Sequence, residues 1–101
     1  MSRTTWIAKD PAELLVATFD FTPALDPLET IGSASVTSTL IAGVDPTPAA
    51  VISGSPVIAG GAVKVPFSGG VDGASYTLRC QVTTSASRIL VLAATLPVRT
   101  A

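Results

Sequence analysis

The chain has 101 residues, a formal net charge of -1 and no histidine, a size that predicts one domain over residues 1–101. Without histidine, Ser-His-Asp and Cys-His catalysis and every imidazole metal site are excluded. Its six cations are scattered and give no footprint for nucleic acid. Charged residues make up only 13% of the chain against 48% hydrophobic, so much of the surface must be Ser, Thr, Gly, Pro and small apolar side chains, a covering that suits packing against other chains.

The start of the chain lacks the basic, then apolar, pattern of a secretory signal: Arg3 leads into Thr4, Thr5 and the charged pair Lys9 and Asp10. The longest apolar stretch, Ile89 to Ala94, is far short of the roughly 20 residues that cross a bilayer. The expectation is synthesis in the cytoplasm and no membrane partner. Cys80 is the only cysteine, so no internal disulfide forms, and its place on the apolar face of a predicted strand makes it a buried structural thiol.

Gly, Pro, Ser, Thr and Val recur throughout, no window sustains a helical apolar repeat, and turn signals at Asp10-Pro11, Asp26-Pro27, Asp45-Pro46, Ser55-Pro56, Gly60-Gly61 and Gly69-Gly70 punctuate short β-branched runs. Residues 1–13 read as an arm leading into the first strand. Within it Asp10-Pro11-Ala12-Glu13 is an alternative single helical turn with Asp10 as its N-cap. Leu14 to Phe21 is the first strand, with Leu15, Ala17, Phe19 and Phe21 on one face and Thr18 and Asp20 on the other. The loop to Glu29 offers Leu25 and Leu28 as apolar plugs.

A second strand from Thr30 to Leu40 is so rich in Ser and Thr that it needs one wet face or an edge position. Short strands follow at Ala50 to Ser53 and Val57 to Ile58, then Ala62 to Phe67, where Pro66 lacks a ladder donor and predicts an edge or a strand end. Ser68-Gly69-Gly70 and Asp72-Gly73 form a Gly-rich turn, Gly73 permitting positive φ. The strand after it carries Tyr76, Leu78, Cys80 and Val82 on one face, with Thr77, Arg79, Gln81 and Thr83 on the other. The last strand, Arg88 to Val98, is apolar on both faces and is therefore central or covered by a partner chain.

Six or seven short antiparallel strands predict an all-β, immunoglobulin-like or fibronectin-III-like β-sandwich. Tyr76, after a turn and before Leu78, Cys80 and Val82, occupies the place of a tyrosine corner, whose hydroxyl ties a connection to its own backbone; the plainer alternative is a half-buried strand aromatic. Phe19, Phe21, Gly70, Gly73 and Tyr76 are the candidate fold-defining residues. Asp20, Asp26 and Glu29, around one loop, are the candidate carboxylates for acid-base work, and they read instead as solvated or turn-capping groups. No D-x-D-x-D-G calcium pattern appears, and the Gly-rich turns lack the lysine and helix start of a phosphate loop. No enzyme activity, catalytic residue, cofactor or metal is expected.

Three stretches resemble the small phage proteins called fiber-tail adaptors. The first is Trp6-Ile7-Ala8-Lys9-Asp10-Pro11-Ala12-Glu13 with Phe19-Asp20-Phe21. The second is Glu29-Thr30-Ile31 with Ser33 to Thr37 behind it. The third is Ser68-Gly69-Gly70, Gly73, Tyr76 and Thr83-Thr84-Ser85 before Arg88. Within this pattern Phe21 stands where tryptophan is frequent, Val36 where an aromatic is expected, and Ser87 where glycine usually precedes the arginine. The resemblance implies a virion component of the tail or neck, present in many copies as a ring, that joins other tail, neck or fiber proteins by rigid docking. Trp6 and Ile7 are the candidate anchors, unless Trp6 folds back to close its own sandwich, and Lys9, Asp10 and Glu13 are the candidates to orient the partner. The competing reading is an immunoglobulin-like module that binds a host surface or carbohydrate, for which an aromatic content of 5% supplies little platform.

Overall fold

A computed structural model describes residues 9–100 and the backbone of residues 3–5. Seven strands are present among them: β1 (Arg3–Thr5), β2 (Leu14–Asp20), β3 (Ile31–Ala42), β4 (Val57–Ala59), β5 (Ala62–Ser68), β6 (Ser75–Thr84) and β7 (Ile89–Pro97). They form a β-sandwich of two sheets, one ordered β1-β7-β6-β3 and the other β2-β5-β4. The expected antiparallel pairing holds for every strand pair except one: β1 runs parallel to β7, with Arg3 beside Ala93 and Thr5 beside Thr95. Part of the expected arm is thus itself a strand, and its three residues offer too short a period to read in the sequence.

Alternation in the sequence maps directly onto the sandwich. Ala17 and Phe19 of β2, Val63, Val65 and Phe67 of β5, and Tyr76, Leu78, Cys80 and Val82 of β6 are buried together with Phe21, Val51, Leu96 and Val98. A fully buried side chain of this kind contributes roughly 1.5–3 kcal/mol over leaving it exposed, so Leu78, with 0% exposure, is as central as any residue. Of the positions the sequence left open, β3 takes the edge and β7 lies inside its sheet. The β4–β5 hairpin turns on Gly60-Gly61, with Ala59 paired to Ala62 and Gly60 at φ 60°, the two-residue turn that positive φ allows.

Four expectations differ. Pro48–Val51 is a 3₁₀ turn where a strand was expected from Ala50, because Pro48 pre-sets helical φ at its start; only Ile52 bridges β5, at Phe67. Pro66 lies in the middle strand of its sheet rather than at an edge or end. It is tolerated because its carbonyl accepts from Ser53 N, on the side away from β2, at 3.1 Å. A strand residue's N and O point the same way, so the missing donor removes no bond to Val16, its β2 partner. Leu28 is fully exposed rather than a plug, since φ of 67° in the Asp26–Glu29 turn aims it outward, whereas Leu25 does pack against the core. Lys9, expected to face a partner, is buried.

Candidate docking surface

Lys9 shows how the chain is anchored at its start. Its backbone N donates to Pro97 O at 3.0 Å and its O accepts from Arg99 N at 2.8 Å, so it continues the parallel pairing to β7. Its Nζ donates to Asp10 O at 2.7 Å and Gly69 O at 2.9 Å. Burial lowers its pKa, opposed by the charges of Glu13 and Asp10. The ammonium therefore works as a staple between the start of the chain and the Gly-rich turn, and is withdrawn from the surface.

Immediately after it the chain makes a hydrogen-bonded turn over Asp10–Glu13, capped by Asp10 but not the helical turn given as the alternative. Asp10 Oδ1 accepts from Ala12 N at 2.8 Å, Glu13 Oε1 accepts from Asp10 N at 2.8 Å, and Glu13 N donates to Asp10 O at 3.0 Å. This is the reciprocal arrangement of a capping box closed over one turn. Glu13 remains exposed and leads into Leu14 and Val16, which are 68% and 62% exposed on the outer face of β2. Trp6 and Ile7 lie outside the described residues.

Two polar clusters brace the loops at opposite ends of β6. At its start, the Tyr76 hydroxyl accepts from Val71 N at 2.9 Å and donates to Asp45 Oδ2 at 2.7 Å. The first bond is the predicted tyrosine corner; the second, to a loop 31 residues upstream, was not legible. Burial and then the Asp45 bond raise the Tyr76 pKa, while the Tyr76 and Thr47 bonds lower that of Asp45. Gly70 and Gly73 make this corner possible, at φ 91° and 88°. A Cβ on Gly70 would lie 2.9 Å from Val98 Cγ2 and 3.4 Å from Tyr76 Cε1.

At the other end of β6, Glu29 accepts from the Arg88 guanidinium and from Thr84 Oγ1, and Arg88 also donates to Ala24 O at 2.9 Å and lies 3.8 Å from Asp26. These bonds hold the Glu29 carboxyl at about 2, below its ordinary 4.5, with the Arg88 bonds the largest cause. The expected turn-capping role of the carboxylates is met: Asp26 N donates to Glu29 Oε1 and Thr22 N to Asp20 Oδ1. Asp26 and Glu29 meet at the Arg88 guanidinium, while Asp20 is engaged separately by Thr22 N. Sequence reasoning placed Arg88 and Glu29 in the family motifs yet missed their pairing, because 59 residues separate them.

A cleft of about 240 Å³ lies between the Asp45–Val51 loop and the Ser68–Val71 turn. Asp45 is its one ionisable lining residue, and that carboxylate is already engaged by Tyr76 and Thr47. Among the described residues no cluster of acidic, Cys or His side chains is placed to hold a metal, and no helix is long and apolar enough to cross a membrane. Cys80 is buried, and burial pushes its thiol up to about 11.

Compared with known proteins, residues 9–97 match the family model described as "Podophage GP4 fiber-tail adaptor protein gp77". The match begins at Lys9 and runs through both sheets to the end of β7. No curated protein matches the chain.

Proposed function

Since the chain belongs to the podophage GP4 fiber-tail adaptor family and so serves as a structural adaptor of the virion, we propose that it acts by rigid protein–protein docking between tail or neck and fiber, in many copies. The observation that carries this reading is the match over residues 9–97, supported by a surface with few charges to desolvate. In this reading the whole chain is one immunoglobulin-like domain without enzymatic activity, and nucleic acid is not a partner.

The docking surface is assigned to the start of the chain. Trp6 and Ile7 supply anchors, and the turn Asp10–Glu13 presents an exposed carboxylate beside Leu14 and Val16. Lys9 supports that turn from within. Buried aromatic and aliphatic anchors dominate such contacts, while an exposed charge contributes under about 1 kcal/mol.

The test mixes the purified chain with tail particles lacking it and with isolated fibers, followed by co-sedimentation and imaging of the reconstituted tail. Binding to both, weakened by Trp6→Ala and Ile7→Ala and only slightly by Glu13→Gln, is expected. A folded chain that binds neither, or that binds host cells or glycans instead, overturns it.

A further inference from the structure

The four sheet edges of this sandwich are not protected alike. β4 is three residues, too short to template another strand; β1 begins with the charged Arg3, and β2 ends in Asp20 and follows Glu13. β3 is twelve residues long, and from Thr30 to Val44 the chain carries no charge and no proline. One side of β3 pairs with β6. On the other, residues 31–42 make no backbone bond to any described residue. Long edges are ordinarily blunted by charge, proline or brevity; here the only interruptions are register shifts at the two ends, between Ile31 and Ser33 and between Leu40 and Ala42.

The side chains along the regular stretch between those shifts are sorted by face. Ser33, Ser35, Thr37 and Thr39 are exposed on the outer face, opposite Thr83, Gln81, Arg79 and Thr77 of β6. Val36 and Leu40 point inward and are only partly buried; the Pro48–Val51 turn lies against β3 but makes no backbone bond to it. An added strand would extend the sheet and cover both.

We propose that β3 pairs antiparallel with β3 of a second copy of this chain, about a two-fold axis at Thr37. Registers that set outer residues against inner ones are excluded, because a one-residue slip turns every side chain to the wrong face. Centring on Thr37 sets Thr37 against its own copy and Ser35 against Thr39, which gives hydroxyl pairs across the outer face. Inside, Leu40 lies against the small Ala34 and Val36 against Ser38. All seven paired residues, Ala34 to Leu40, fall between the two register shifts. A two-fold at Val36 leaves Leu40 outside the paired stretch. With no charge on the strand, nothing repels its copy, and the four-stranded sheet becomes eight-stranded. The pairing stands on β3 alone and does not depend on the adaptor reading. As one strand pair it is a small contact, so the dimer is concentration-dependent.

Sedimentation equilibrium of the purified chain over a wide concentration range tests this. A mass rising from 10.2 kDa toward twice that value is expected. Thr37→Lys should hold the mass at the monomer value with an unchanged melting temperature, whereas Thr83→Lys, on the outer face of β6 away from the edge, should still dimerise. Thr37→Cys should form a disulfide-linked dimer on mild oxidation, with Cys80 buried and unreactive. A wild-type mass that stays monomeric throughout, or a Thr37→Lys dimer as tight as the wild type, overturns the pairing; a dimer in which Thr37→Cys does not cross-link overturns the axis at Thr37.

Discussion

Tyr76 and Asp45 join two connections across the end of the sandwich through a hydrogen bond of 2.7 Å, with the same hydroxyl receiving Val71 N at 2.9 Å. One buried oxygen thus fixes the Asp45–Pro48 loop, the Gly-rich turn and the start of β6. Tyr76→Phe leaves a backbone donor and a carboxylate without that partner while the ring stays packed. A loss of about 1–3 kcal/mol is expected, measured as a lower urea midpoint with an unchanged slope.

Acid should act first at the opposite end. Glu29 is held at about 2 in the folded chain against 4.5 ordinarily, so its contribution to stability is fully present above pH 4.5 and is lost as pH falls from 4.5 toward 2. Melting temperature is expected to drop across that window. In Glu29→Gln the drop should be visibly shallower, and melts at pH 7 should already sit lower than wild type.

The two glycines of the corner should differ in what alanine does to them. Both have positive φ, but a Cβ on Gly73 meets nothing within 4 Å, while on Gly70 it collides with Val98 and Tyr76. Gly73→Ala should cost about 1–2 kcal/mol from conformation alone. Gly70→Ala should cost a further 1–3 kcal/mol or so from overpacking. Denaturant titrations of the two variants give the comparison directly.

Ser87 adopts φ of 61° in an exposed turn whose backbone bond runs from its own N to Thr84 O. The glycine usual at this place in the resembling pattern removes the strain of that conformation, worth about 1–2 kcal/mol, at a loss of roughly 0.5–1 kcal/mol in unfolded-chain entropy. Ser87→Gly is therefore expected to stabilise by roughly 0.5–1 kcal/mol, read as a rise in melting temperature.

Most of the sandwich was legible because its strands alternate strictly. Phe19, Tyr76, Leu78, Cys80 and Val82 fall on the core face by period alone, and Ser33 to Thr39 announce a wet face or an edge by their hydroxyls. What resisted reading lay in partnerships over long separations or in short segments. Glu29 with Arg88 and Asp45 with Tyr76 carry no local pattern. Pro48 converts a β-branched run into a 3₁₀ turn, and Pro66 sits mid-sheet because only one side of its strand needs a donor there. Lys9 misled for a chemical reason: a lysine next to an aspartate ahead of a turn reads as solvated, and its burial depends on Gly69 offering a carbonyl from a turn 60 residues away. The candidate docking surface was legible as composition but not as geometry, since an apolar Leu14 and Val16 on the outer face of β2 give no sign in the sequence that they stand exposed.

The parallel alignment of β1 and Lys9 with β7 and Arg99 bears on mechanical load. Tension applied near Arg3 and near Arg99 pulls these neighbouring strands lengthwise past each other in shear. The bonds between them then bear force together rather than one after another, as in a lap joint that resists sliding far better than peeling.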